Sequence, residues 1–167
     1  MEAETKMGAI LLHCAGLSRQ AFAAGEVLLE EGKTSGRLYV LSEGVIDVLR
    51  GDTVVATVTE PGSVFGEMSI LLNLPHTATV RAATASFGYV FDNAREFLSA
   101  HPEIAFLVAK LLAQRLNAAT TYLVDIKRQF AGHENHLEMV GEVLESLIHH
   151  QEAEFTPGSD RQPDPRM

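Results

Sequence analysis

Between Ala21 and Phe91 the apolar residues fall into short Val-, Leu- and Ile-rich runs. Each run is closed by a turn signal: Gly25, Gly32, Gly36, Gly44, Gly51, Gly62 and Gly66. Runs of this length at this spacing predict the strands of an antiparallel roll or sandwich. The pattern predicts strands over Glu26–Glu30, Arg37–Leu41, Val45–Arg50, Thr53–Thr59, Thr77–Ala83 and Phe87–Phe91. Gly51-Asp52 reads as a two-residue hairpin turn.

After Phe91 the period changes from two to three and four. Asn93 followed by Glu96 is a capping-box-like pattern that predicts a short helix over Ala94–Ala100, and Pro102 stands at a tolerated first-turn position for the next one. Leu116, Ala119, Leu123, Ile126, Phe130, His133, Leu137, Val140, Leu144 and Leu147 then follow at alternating steps of three and four, which is a heptad seam. The unbroken phase predicts one long helix that pairs with a second chain as a parallel dimer. Gly132 and Gly141 each weaken such a helix by about 1 kcal/mol against alanine. The alternative is a helix that ends at Gly132, with a second one folding back.

The stretch from Phe65 to Ala82 fits neither period. Gly66 opens one or two helical turns over Glu67-Met68-Ser69-Ile70-Leu71-Leu72, Asn73-Leu74-Pro75 ends them, and His76-Thr77-Ala78-Thr79-Val80-Arg81-Ala82 leads into a strand. A helix start presents free backbone N–H groups, which suit an anion. Glu67 sits in the first turn, where a carboxylate can accept from a ligand hydroxyl. Arg81 lies an odd number of residues from His76 and is expected on the opposite face.

This stretch resembles the phosphate-binding cassette of the cyclic-nucleotide-binding domain family, whose pattern reads roughly F-G-E-x-[AS]-L-L, a short spacer, then P-R-[ST]-A-T-V-x-A. The resemblance extends over about residues 20–130. It implies an α+β fold: an eight-stranded antiparallel jelly roll followed by a short helix and a long, coiled-coil-like C-terminal helix. It also implies that Glu67 accepts from a ribose 2′-hydroxyl, that Gly66, Ser69 and Thr77 offer N–H groups to a cyclic phosphate, and that Phe65, Met68 and Ala78 complete the site. Thr120, on the C-terminal helix, is the position best placed to cap a purine. One residue departs from the pattern: His76 stands where the family has its phosphate-binding arginine. An imidazole is charged only conditionally, so cyclic-nucleotide binding is expected to strengthen as pH falls from about 8 to about 6.

The resulting organisation is a leader over residues 1–20 with a short helix near Ala9–Cys14, a roll over 21–92, helices over 93–150 including the dimerisation helix, and a disordered tail over 151–167. The net charge of −9 argues against a nucleic-acid surface. No module suited to DNA follows the long helix. Cys14 is the single cysteine, which fits a reducing compartment and a cytoplasmic location. No apolar run approaches the roughly 18 residues of a membrane span, and the start of the chain has no signal-peptide pattern. His133 and His136 lack the partners of a known metal site, and no metal is expected. With no nucleophile or P-loop motif, the chain reads as a regulatory binding module, not an enzyme. Its expected ligand is cAMP or cGMP, and its output a contact with a protein partner. The alternative is a ligand-independent dimeric scaffold.

Overall fold

A computed structural model describes residues 9–131 and 134–149. The predicted tail lies outside the described residues, as does His133 on the seam. Residues 9–13 form a helix, α1. Eight strands follow: β1 (Gln20–Phe22), β2 (Val27–Leu29), β3 (Leu38–Glu43), β4 (Ile46–Arg50), β5 (Thr53–Val58), β6 (Val64–Phe65), β7 (Thr79–Ala82) and β8 (Ser86–Phe91). Helix α2 (Glu67–Leu72) interrupts them between β6 and β7; α3 (Ala94–Ala100), α4 (Pro102–Gln129) and α5 (Glu134–His149) come after.

The strands form two four-stranded sheets in the orders β1-β8-β3-β6 and β2-β7-β4-β5. Every pairing is antiparallel. Phe22, Leu29, Tyr39, Leu41, Ile46, Phe65, Val80 and Ala82 make the core of this jelly roll. The alternation along β7 shows how period two builds it: Val80 and Ala82 are buried, whereas Thr79 and Arg81 are only half-buried.

β3 departs from that alternation, because Leu38, Tyr39, Val40 and Leu41 are all buried. Tyr39 and Leu41 face the roll. Leu38 and Val40 face the other way, into an apolar pocket shared with Ile10, Cys14, Phe97, Ile104 and Val108. One face of the sheet is therefore sealed by the other sheet and the opposite face by α1, α3 and the start of α4, so the strand reads as a continuous apolar run.

Three local expectations are revised. β1 and β6 have only three and two residues, too short for a periodic signal. Asn93 stands at the N-cap of α3 without a side-chain bond to the helix backbone. Its amide Nδ2 donates instead to Glu96 Oε2 at 2.7 Å, which uses up the carboxylate that a capping box requires. Finally, the seam does not run along one helix. α4 stops at Gln129, a turn follows at Phe130 and Ala131, and α5 begins at Glu134. A Cβ placed on Gly141 would lie 3.5 Å from Lys127 Nζ. Fourteen residues of unbroken helix would separate those positions by about 21 Å, beyond the reach of a lysine, so α5 returns along α4.

The chain divides into two compact units, Met1–Lys110 and Leu111–Met167. The first holds the roll, α1, α3 and the beginning of α4. The second holds the α4–α5 hairpin. No described helix is long and apolar enough to cross a membrane.

Because Leu38 is only 1% exposed and sits where sheet and helices meet, Leu38→Ala is expected to cost about 2–5 kcal/mol. Urea denaturation of parent and variant checks this.

Candidate cyclic-nucleotide site

The cassette departs from β6 at Gly66, which has φ 94° and caps α2. A Cβ there would stand 2.5 Å from the carbonyl oxygen of Arg37 and 3.3 Å from Leu29 Cδ1. Only glycine allows both the left-handed backbone and this approach. The next residue, Glu67, is pulled under the turn and is only 5% exposed, while Met68 points outward at 45%. Ser69 donates its hydroxyl hydrogen to the Gly66 carbonyl at 3.1 Å, which tightens the first turn.

Asn73, with φ 55°, closes α2 in the left-handed conformation, and its amide donates to the Ser69 carbonyl. From the side, Arg95 of α3 donates from Nη2 to the Ile70 carbonyl at 2.7 Å. That bond satisfies a carbonyl near the end of α2 and ties the cassette to the helix that follows the roll.

His76 closes the cassette. Its amide donates to the Lys33 carbonyl and its carbonyl accepts from the Gly32 amide, both at 2.8 Å. Its ring Nε2 lies 2.8 Å from Ser35 Oγ, and the residue is 5% exposed. Three residues on, Thr79 Oγ1 accepts from the Glu31 amide at 3.1 Å. The exit of the cassette is thus stitched to the β2–β3 loop through residues 31–35. Burial pushes the His76 imidazole below its ordinary 6.5, since a charged ring here loses hydration. The neutral ring is therefore the form present at pH 7.

The sequence-predicted residues separate by role. Gly66, Glu67, Ser69, His76, Thr77 and Ala78 lie on the cassette and its exit, with Thr77 and Ala78 half-buried. Phe65 points its ring into the core of the roll. Met68 is an outward residue of α2. Thr120 is half-buried on α4, in the second unit. Arg81 is on the outer side of β7, 3.9 Å from Asp47; because β7 begins only at Thr79, parity counted from His76 does not carry to it. Asp47 also accepts the Thr57 hydroxyl at 2.9 Å.

Two residues at this site were not singled out from the sequence. Ser35 reaches His76 across 41 residues of chain, and Arg95 reads as an ordinary surface position of α3. Neither carries a local signal.

Residues 19–99 match the family described as Cyclic nucleotide-binding domain. This segment of the chain belongs to that family. The domain is 40% identical over 82 residues to an uncharacterized ABC transporter ATP-binding protein of Mycobacterium tuberculosis, a match that covers 45% of this chain and 24% of that protein. It is 28% identical over 111 residues to a CRP-like cAMP-activated global transcriptional regulator of the same species, covering 63% of this chain and 50% of the regulator. The chain thus spans about a quarter of the length of the first of these relatives. In fold it is similar to a cyclic nucleotide-binding domain from Methylobacillus flagellatus, with a TM-score of 0.53, 20% identity, and coverage of 71% of this chain and 78% of the other. Domains of this family are regulatory rather than catalytic.

The lowered His76 pKa has a defined consequence for stability. The folded state binds this proton less readily than the unfolded chain, so the contribution is fully present above pH 6.5 and is lost as pH falls toward the folded pKa. In His76→Gln that dependence disappears. Thermal midpoints measured between about pH 7.5 and pH 5 should converge for parent and variant as the solution is acidified.

Gly66→Ala brings both a left-handed alanine and a clash with Arg37. It is expected to cost about 2 kcal/mol or more, read by urea denaturation.

Proposed function

We propose that this chain is a regulatory module that binds cAMP or cGMP in the cassette and transmits occupancy through its C-terminal helices to a protein partner. The observation that carries this reading is the pair of buried polar residues, Glu67 and His76, at the two ends of the cassette in a segment of the cyclic nucleotide-binding family. Burying a carboxylate and an imidazole is costly unless each has polar partners, and a site for a hydroxylated anion supplies such groups with a purpose. Glu67 accepts from the ribose 2′-hydroxyl. Gly66, Ser69 and Thr77 present backbone N–H groups to the cyclic phosphate, with Ala78 beside them.

His76 takes the arginine's place as a neutral donor. Ser35 Oγ already accepts from the Arg37 amide at 3.3 Å. Its own hydrogen is then best used toward His76 Nε2, which leaves Nδ1–H for a phosphate oxygen. A single neutral donor is weaker than a charged, forked guanidinium. The site is therefore a low-affinity one, matched to a ligand at high local concentration.

The similarity to a regulator named as cAMP-activated favours cAMP as the first ligand to test. The helices over 93–150 form the output element, and they also carry self-association. In this reading the chain has no catalytic role, binds no nucleic acid, metal or membrane, and works in the cytoplasm.

Calorimetric titration with cAMP and cGMP tests the proposal. Glu67→Ala should weaken binding by one to two decades, as removal of a charge-assisted hydrogen bond does at about 1.5–3 kcal/mol. His76→Arg should tighten it by about the same factor. Because burial lowers the His76 pKa, parent affinity should stay flat from about pH 8 to pH 6.5 and rise only below that, whereas the arginine variant stays flat throughout. No binding even with arginine in place would overturn the ligand reading and favour a scaffold.

A further inference from the structure

The β2–β3 loop carries a residue that decides what His76 can offer. Ser35 lies on the exposed part of that loop, yet its Oγ reaches the buried imidazole, 2.8 Å from Nε2. The loop is braced on both sides of this contact. Before it, His76 exchanges backbone hydrogen bonds with Gly32 and Lys33. The Glu31 amide donates to Thr79 Oγ1, and the Glu31 carboxylate accepts from the Gly51 amide at 2.9 Å, in the turn between β4 and β5. After it, the Gly36 carbonyl accepts from the Ala94 amide at 3.1 Å. These ties hold Ser35 against the ring.

The two ring nitrogens stand differently. Nε2 faces Ser35. Nδ1 has no hydrogen bond among the described residues, where no buried side-chain nitrogen or oxygen lacks a partner. Nδ1 is therefore the open edge of the ring. A neutral imidazole has one donor and one acceptor, and the bond made by one nitrogen sets the role of the other. With the Arg37 amide donating to Ser35 Oγ at 3.3 Å, the hydroxyl hydrogen goes to Nε2 and the ring proton to Nδ1. The open edge is then a donor. The reverse tautomer would turn a lone pair toward an incoming phosphate oxygen. The cations of the loop do not replace this donor, since Lys33 is engaged with Glu30 at 2.8 Å and Arg37 with Asp92 at 3.0 Å.

We propose that Ser35 is a positioning residue of the nucleotide site: it fixes the Nδ1–H tautomer of His76, and the pocket thereby selects a ligand that presents a hydrogen-bond acceptor there. The ligand half of this rests on the cassette reading given above. The tautomer half is a property of the unliganded chain. A guanidinium has donors only, so the effect of Ser35 is tied to histidine and vanishes in His76→Arg.

The full chain tests both halves. Long-range nitrogen–proton NMR correlations, taken at about pH 7.5 where an ordinary histidine is neutral, report the tautomer of each imidazole. The pattern missing in His76→Gln belongs to His76. The parent and Ser35→Thr should show Nδ1–H, and Ser35→Ala a shift toward Nε2–H. In calorimetry with cAMP, Ser35→Ala should weaken binding by about threefold to tenfold, the worth of one neutral hydrogen bond, and Ser35→Thr should restore it. In the His76→Arg background the same Ser35→Ala change should alter affinity by less than about twofold. An Nε2–H tautomer in the parent, or a Ser35→Ala spectrum like that of the parent, overturns the proposal. Equal losses in both backgrounds overturn it too, because Ser35 then only places the loop. If cAMP binds neither the parent nor His76→Arg, the ligand half falls with the cassette reading, and the spectra still decide the tautomer.

Discussion

The approach of Gly66 to the backbone of Arg37 is the constraint on which the site depends. A Cβ on Gly66 would lie 2.5 Å from the Arg37 carbonyl oxygen, so only a hydrogen fits there. This limit fixes where α2 departs from the roll, and so draws Glu67 inward while Met68 faces out. The other end is held by exchange rather than by steric limit. His76 gives and takes a backbone hydrogen bond with the β2–β3 loop, and its ring reaches Ser35. Between these two anchors the Arg95 guanidinium also ties the cassette at the Ile70 carbonyl.

His76 shows how burial sets the chemistry of one side chain. A guanidinium keeps its charge when buried, whereas an imidazole releases its proton. Desolvation therefore keeps His76 a neutral donor and acceptor, and Ser35 Oγ is matched to that neutral ring. The result is a site whose buried polar groups are satisfied within the protein itself. Among the described residues no buried side-chain nitrogen or oxygen lacks a partner.

The helical end of the molecule illustrates the limit of a periodic signal. A heptad pattern states that a stripe of apolar residues wants a partner helix, but not which one. α5 is that partner for α4 in the same chain. The turn at Phe130 and Ala131 reconciles an unbroken phase with a broken helix, because a reversal that conserves the phase lets each seam position meet another.

Strand periodicity, the glycine-punctuated turns and the cassette were legible in the amino-acid order, because each is a local pattern that shows within a few residues. The five longer strands, the three-residue β2 and the placement of α2 between β6 and β7 follow from those patterns. β1 and β6 were not legible, since they are strands only because β8 and β3 supply their hydrogen-bond partners. The same holds for the chemistry. Glu67 and His76 announce themselves by position in a motif, but the burial of both, the neutral state of the imidazole and the role of Ser35 arise from contacts between segments some 41 residues apart. Desolvation is a property of the assembled interior, and the order of residues along the chain does not contain it. Whether a helix pairs with itself or with a second copy is likewise decided by the direction the chain takes after one turn, which only the tertiary structure sets.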